Sequence, residues 1–255
     1  GGGGGGGGSE KNPALKLDTC VAMTQGSIGY WLQNALTNEF EKRNIAKPVI
    51  SVVTQVRVDK EDPSFKKPSK PIGPFYTKEE ADAEAAKDGS TYVEDAGRGY
   101  RKVVPSPMPK EIVEKEAVRA LVEADVLTIC SGGGGIPVVA EDGQYVGVEA
   151  VNDKDFSARV LAENVDADRL IILTGVDNIY INYNQPDQKA LEQISVAEAE
   201  EYIKEGHFAA GSMLPKIEAA LDFVKGDDKR KAIITSIENL ENIDKEAGTV
   251  ISQKG

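Results

Sequence analysis

An apolar run that stops in four consecutive glycines limits what this chain can fold into more than any other feature. Val126–Cys130 predicts a short buried strand, and Ser131 then precedes the glycines of residues 132–135. Because glycines carry no side chains, the backbone N–H groups at the carboxyl end of this strand stay accessible to a ligand. Such a strand end is a place where an anion can be held. The sequence therefore predicts an anion site at one rim of a sheet.

Strand-like and helix-like patterns alternate along the rest of the chain, which predicts an α/β fold with a mainly parallel sheet covered on both sides. The predicted strands are Pro48–Val58, Val126–Cys130, Leu170–Thr174, Ala232–Thr235 and Thr249–Ser252. The predicted helices are Asp18–Arg43, Lys110–Glu123, Phe156–Val165, Val196–Glu205 and Leu214–Val224. Leu170–Thr174 is almost continuously apolar, as in a strand buried on both faces. We expect Tyr30 and Trp31 in the core or at a subunit contact.

The domain organisation follows from shifts in composition. Residues 1–8 are all glycine, which indicates a linker or artefact rather than a packed element. The remaining residues, 9–255, are predicted to form one domain. Within it, residues 58–104 are rich in proline and lysine and predict an inserted flap subdomain. Inside this flap, Thr77 and Glu80 have the spacing of a capping box at the start of a helix.

Charge and composition narrow the classes of function. The 255 residues carry a formal net charge of -12, which disfavours non-specific binding to nucleic acid or to anionic membranes. Neither a signal peptide nor a run of about 20 apolar residues is found, so a cytoplasmic protein is expected. Cys20 and Cys130 stand in apolar surroundings and predict two free thiols in a reducing compartment.

Two lysines stand where helix geometry disfavours them. Lys154, between two aspartates, and Lys216, in the first turn of a predicted helix, both face the positive end of a helix dipole, which costs about 0.3–1 kcal/mol. Both can simply point to water. Two such lysines instead suggest an anion that both of them contact.

Other kinds of site lack their sequence patterns. The chain has no G-x-x-x-x-G-K-[ST] phosphate loop and no G-x-S-x-G elbow. His207 is the single histidine, so histidine pairs that ligate a metal are excluded, and packing or surface exposure is its expected role. Three loops at predicted strand ends or helix starts remain as candidates: residues 131–135, 174–177 and 211–216.

Five long segments stand out in the chain: SGGGGIPVV, GVEAVNDKDF, ILTGVDNIYINY, GHFAAGSMLPKIEAA and KAIITSIENL, with KPIGPF and EDAGRGYRKVVPSP upstream. Together they resemble the carbamate kinases of the amino-acid kinase family. The resemblance implies a three-layer αβα sandwich with a mainly parallel central sheet, a protruding flap and a homodimer. It also implies reversible phosphoryl transfer between ATP and carbamate, giving ADP and carbamoyl phosphate, with Mg²⁺. The resemblance further implies that, in fermenting microbes, the reaction commonly runs toward ATP at the end of arginine breakdown.

The resemblance also assigns roles to residues. Lys154 and Lys216 resemble the lysines that clamp the transferred phosphoryl group, Asp155 the carboxylate that holds them, and Lys70 the flap lysine. Gly132, Gly133 and Gly134 resemble the backbone cradle for phosphate and carbamate. The nucleotide pocket is expected at Thr174, Gly175, Val176, Asp177, Tyr183 and Met213. No protein ligand to the metal is expected.

One departure leaves alternatives open. The family begins with a strand ending in Gly-Gly-Asn and has a Gly-Asn-Gly-Pro-Gln loop, and neither precedes Ser9. A chain that truly lacks them is expected to be weakly active or inactive, whereas glycines that stand in for other residues imply an ordinary kinase. The competing hypotheses are a kinase of another small acid and a catalytically dead nucleotide-binding protein.

Overall fold

The computed structural model describes residues 15–255, so the polyglycine run at 1–8 lies outside the described residues. The chain divides into two compact units, residues 1–157 and residues 158–255. Among residues 15–255, no helix combines the length and the apolar character that a membrane span requires.

Within its described residues, 15–157, the first unit contains three α-helices, nine strands and the start of a fourth α-helix. The helices are α1 (Leu17–Lys42), α2 (Lys78–Asp88) and α3 (Lys115–Glu123), followed by α4 (Lys154–Asn164), which continues into the second unit. The strands are β1 (Val49–Ser51), β2 (Gln55–Val58), β3 (Lys70–Tyr76), β4 (Thr91–Glu94), β5 (Tyr100–Val104), β6 (Pro109–Ile112), β7 (Leu127–Ile129), β8 (Ile136–Glu141) and β9 (Gln144–Gly147).

Two parallel strand pairs run through this unit. β1 pairs with β7, and β2 pairs with β8 inside a four-stranded sheet of order β6-β2-β8-β9. The strand predicted over Pro48–Val58 is therefore two strands, separated at Val52–Thr54. The helix predicted from Lys110 was also wrong at its start, because β6 pairs antiparallel with β2 and the helix begins only at Lys115.

Residues 70–104 form a small sheet of their own. β3, β5 and β4 are antiparallel in that order, and α2 packs on them. The predicted capping box is confirmed: Thr77 Oγ1 accepts from the Glu80 N–H, and the Glu80 carboxylate accepts from the Thr77 N–H. That this sheet acts as a flap remains a prediction.

The second unit contains six strands and two further helices. The strands are β10 (Arg169–Thr174), β11 (Ile179–Ile181), β12 (Lys189–Leu191), β13 (Gln193–Ser195), β14 (Lys231–Ser236) and β15 (Thr249–Ser252). The helices are α5 (Val196–Lys204) and α6 (Met213–Lys225), with a 3₁₀ helix at Ile237–Lys245. The main sheet has the order β10-β14-β15-β13, and its pairs β10–β14 and β13–β15 are parallel.

The core of the second unit lies between this sheet and α6. Phe223 and Ile217 of α6 are fully buried, as is Ile233 of β14, and α6 contacts β10, β14 and β15. Burial on both faces of β10 was a wrong prediction: Ile171 and Leu173 are 41% and 39% exposed. Residues alternate across a strand, and it is Leu170 and Ile172 that are buried.

The long helix α1 also differs from expectation. Its buried positions are Val21, Gln25 and Gly29, whereas Tyr30 and Trp31 are 63% and 64% exposed. The core placement of these two aromatic residues is therefore wrong for the single chain, and only a subunit contact remains as a prediction. Helices that alternate with parallel strand pairs confirm the predicted α/β class.

Candidate active site

The glycine turn after β7 has an unusual backbone. Ser131, Gly133, Gly134 and Gly135 all have positive φ angles, between 57° and 87°. The N–H groups of Gly134 and Gly135 bond back to the carbonyls of Ser131 and Gly132, which closes a 3₁₀ turn. Within residues 15–255, the N–H groups of Gly132 and Gly133 have no protein acceptor, and both residues are exposed. The turn thus presents two adjacent backbone donors.

Two of the glycines are required because neighbouring atoms fill the space of a side chain. A Cβ on Gly134 would lie 2.5 Å from the carbonyl oxygen of Asn152, and one on Gly135 would collide with Val56 Cγ2. Real Cβ atoms do not approach backbone oxygens this closely, and the positive φ values add strain for any other residue.

A buried polar network holds the start of the turn. The side-chain amide of Gln25 on α1 bonds both the N–H (2.9 Å) and the carbonyl (3.1 Å) of Thr54. Thr54 Oγ1 in turn accepts from the Ser131 N–H at 2.7 Å. Gln25 is 7% exposed and Thr54 is fully buried. Buried hydrogen bonds of this kind are costly to break, so the turn is fixed to α1 and to the residue directly before β2.

The far end of the turn is bonded to the start of α4. Asn152 Nδ2 (3.2 Å) and Ser157 Oγ (2.6 Å) both donate to the carbonyl of Gly134. Asp153 caps the helix, since its Oδ1 accepts from the N–H groups of Asp155 (2.8 Å) and Phe156 (3.3 Å). The glycine turn and the first turn of α4 therefore form one connected structure.

Of the catalytic residues predicted in the first unit, the two lysines are exposed and the aspartate is buried. Lys154 is the first residue of α4 and is exposed, whereas Asp155 is 8% exposed. Lys70 is exposed at the first position of β3. Gly132, Gly133 and Gly134 make up the 3₁₀ turn itself.

A cavity of about 410 Å³ lies in the second unit at the carboxyl end of β10. Five residues predicted for the nucleotide pocket line it, namely Thr174, Gly175, Val176, Tyr183 and Met213, and Lys216 lines it too. Asp177 was also predicted, but it is not among the lining residues. Its carboxylate and the Ser236 hydroxyl are hydrogen-bonded instead, which connects the loop after β10 to the end of β14.

Sequence reasoning missed several residues of this wall. Asn178, Ile179, Tyr180, His207, Phe208 and Ala209 line the cavity as well. Ser212, from the predicted loop 211–216, also lines it. His207 accepts from the Asn182 N–H through Nδ1 (3.3 Å), and its Nε2 lies 2.8 Å from Glu205. These contacts hold the ring at the wall. The segments ILTGVDNIYINY and GHFAAGSMLPKIEAA, which carried the family resemblance, were the signals that marked this region.

Lys216 lies in the first turn of α6, as predicted. Met213 is the first residue of the helix, and Pro215 is accepted in its first turn. Ser212 precedes the helix, but its side chain makes no capping hydrogen bond. The N–H groups of Ser212 and Leu214 both donate to the carbonyl of Ala209 instead, which ties the start of α6 to the segment before it.

Cys130, directly before the turn, is expected to be unreactive at neutral pH. Burial raises the pKa of its thiol to about 11, so at neutral pH the protonated form dominates. Cys20 and Cys130 are both free, as predicted.

Comparisons with known proteins identify the group to which this chain is related. The Amino acid kinase family model matches residues 73–236. Carbamate kinase 1 of Enterococcus faecium is 59% identical over 247 residues, which cover 96% of this chain and 79% of that protein. The carbamate kinase of Clostridium perfringens is 54% identical over 228 residues, 89% of this chain and 73% of that protein.

Solved structures agree with the sequence comparisons. The carbamate kinase of Giardia lamblia bound to AMP-PNP superposes with a TM-score of 0.89 at 44% identity, covering 95% of this chain and 77% of that one. Likeness at this level in sequence and in fold covers both the glycine turn and the cavity described above. The chain belongs to the amino acid kinase family and, within it, to the carbamate kinases.

Proposed function

We propose that this chain catalyses reversible phosphoryl transfer between ATP and carbamate, giving ADP and carbamoyl phosphate. The observation that carries the proposal is the likeness to carbamate kinases, which extends over almost the whole chain. The glycine turn supports it, since two backbone N–H groups that have no acceptor among residues 15–255 suit the oxygens of a phosphoryl group. Phosphoryl transfer requires mainly positioning and stabilisation of charge, and these residue types supply both.

Lys154 and Lys216 are the proposed cations on the transferred phosphoryl group. Each lies in the first turn of a helix whose dipole disfavours a lysine unless an anion compensates it. Asp155, buried in the first turn of α4, is the carboxylate proposed to hold these lysines in position. The N–H groups of Gly132 and Gly133 are the proposed donors to phosphoryl and carbamate oxygens.

The cavity at the end of β10 is the proposed nucleotide pocket. The Giardia lamblia carbamate kinase was solved with AMP-PNP, an ATP analogue, bound to it. An adenine nucleotide suits a wall that combines apolar Val176, Ile179 and Met213 with polar Asn178. Asp177, which does not line the cavity, would contribute indirectly, because its hydrogen bond with Ser236 fixes the loop after β10.

Lys70 is the proposed contribution of the flap. It is exposed at the start of β3, and we propose that it reaches the phosphates when the small sheet of residues 70–104 closes. A flexible, exposed lysine can contact a phosphate oxygen without a fixed geometry, because its ammonium group is a compact point charge.

Magnesium is proposed to arrive with the nucleotide. Within residues 15–255 there is no group of three or more His, Cys, Asp or Glu side chains placed to hold a metal. Mg²⁺ commonly keeps its waters and binds through substrate phosphates with one or two carboxylates, which fits a site of this composition. When bound, the ion would neutralise charge on the phosphate oxygens.

We propose that the enzyme is cytoplasmic and forms ATP in arginine catabolism, as the family resemblance implies.

We also propose a homodimer in which the exposed Tyr30 and Trp31 of α1 contact a second copy. Large aromatic side chains that are exposed at neighbouring positions of a helix are typical of a subunit interface.

The test is ATP formation from ADP and carbamoyl phosphate, measured with a coupled assay. Rapid ADP-dependent formation of ATP is expected, and in the reverse direction carbamate should be preferred over acetate and glutamate. Equal or better turnover of another acid would identify a different small-acid kinase. Nucleotide binding without any turnover would identify a catalytically dead protein.

A further inference from the structure

Two side chains that no catalytic assignment uses converge on one atom of the glycine turn. The Gly134 carbonyl accepts from Asn152 at 3.2 Å and from Ser157 at 2.6 Å, and these residues are 2% and 1% exposed. In the chain they lie on either side of Lys154 and Asp155. The two hydrogen bonds therefore connect the backbone donors of the turn to the helix start that carries the lysine.

The energetics of Asn152 point away from a purely structural role. Its Nδ2 donates to Gly134, but its Oδ1 is buried and, among the described residues, has no hydrogen-bond partner. A buried unpaired acceptor loses its water without compensation, so an apolar side chain of similar size would serve stability at least as well. Ser131, at the other end of the turn, has a φ of 57°, which is unfavourable for a residue other than glycine. Unfavourable features of this kind concentrate at functional sites.

The turn is held at its two ends and left open in the middle. Thr54 holds the Ser131 N–H at one end, and Asn152 and Ser157 hold the Gly134 carbonyl at the other. Between them the Gly132 and Gly133 N–H groups stay without a protein acceptor in the described part of the chain. Donors that are fixed before the reaction stabilise developing charge, whereas donors that must reorient contribute less.

We propose that Asn152 and Ser157 are positioning residues: by holding the Gly134 carbonyl, they orient the Gly132 and Gly133 N–H groups toward the phosphoryl group that Lys154 contacts. This rests on the proposed function. Neither side chain touches the substrate, so both act through the backbone of the turn.

Ser157→Ala removes one of the two donors and lowers kcat for ATP formation by about fivefold to tenfold, the loss that corresponds to one neutral hydrogen bond. The KM for ADP stays within about twofold, because the cavity at β10 is untouched. Asn152→Leu removes the other donor together with the unpaired Oδ1. It should lower kcat to a similar extent while the melting temperature changes by less than about 3 °C.

Ser64→Ala is the control for loss of a buried serine hydroxyl, because Ser64 Oγ is buried outside the glycine turn and α4. Its kcat should equal that of the wild type. The positioning role is overturned if folded Ser157→Ala and Asn152→Leu keep kcat within twofold of an active wild type. It is equally overturned if their kcat is unchanged and only the KM for ADP rises. A wild type that forms no ATP from carbamoyl phosphate would instead overturn the proposed function.

Discussion

Lys154 occupies a position where a positive charge destabilises the helix that carries it. It is exposed at the first residue of α4, at the positive end of the helix dipole. Lys154→Ala should therefore leave the free energy of unfolding unchanged or slightly higher, while kcat falls by about 100-fold or more through loss of a preorganised charge. Urea denaturation and the coupled assay measure the two effects.

Lys216→Ala is expected to lower kcat by a similar factor. Lys42→Ala, in the last turn of α1 and exposed, is the control and should leave kcat unchanged. A near-normal rate for either site variant would remove that lysine from the mechanism.

Asp62 gives a pH dependence that belongs to a single residue. Burial alone would raise its pKa, but hydrogen bonds from the Met108 and Ser64 N–H groups and the charge of Lys110 outweigh burial and lower the pKa. A lowered pKa means that its stabilisation is present above the pKa of the unfolded chain, about 3.9, and is lost as the pH falls through the folded pKa. Asp62→Asn should lower the free energy of unfolding at pH 7. It should also make that free energy fall less steeply as the pH is lowered, as measured by denaturation between pH 2 and pH 7.

The helix caps make a prediction at the scale of elements. Thr77→Ala breaks the capping box of α2 and should cost about 1 kcal/mol locally, with faster amide hydrogen exchange confined to α2. Ser195 and Glu198 form an equivalent box at α5, so Ser195→Ala is a reciprocal control that should affect α5 alone. Equal exchange rates in α2 with and without Thr77 would show that packing, not the cap, stabilises this helix.

The small sheet of residues 70–104 tests the flap hypothesis. Lys70 is exposed, and its strand is held by backbone pairing with β5, so Lys70→Ala should lower turnover without changing the melting temperature. The neighbouring exposed Lys67 is the control. Loss of the folded state in Lys70→Ala would mean that this lysine is structural.

Elements were predictable where local rules decide them. The capping box at Thr77 follows from two side chains three residues apart. The helix predicted from Phe156 also forms, although it begins two residues earlier, at Lys154. The strand β6 was missed because its pairing with β2 comes from residues more than 50 positions away. The exposed face of β10 was missed for a similar reason, since α6 packs against one side of an evenly apolar strand.

The candidate site was likewise predictable only in its local parts. A glycine run directly after a strand indicates accessible backbone donors from the sequence alone. The convergence of Asn152 and Ser157 on Gly134, and the placement of His207 at the cavity wall, depend on contacts that only the fold creates.

For the whole molecule, the exposed aromatic residues of α1 predict the state of assembly. Trp31→Glu places a charge on the proposed subunit contact and should convert a dimer to a monomer, as measured by sedimentation. Thr37→Glu, on an exposed position of the same helix, is the control. A wild type that sediments as a monomer would assign Trp31 another role.

The protonated state of Cys130 has a practical consequence. With a pKa of about 11, only about one molecule in ten thousand carries the reactive thiolate there at pH 7. A maleimide dye should therefore attach selectively to Cys20, which places a fluorescent reporter on α1 without mutagenesis.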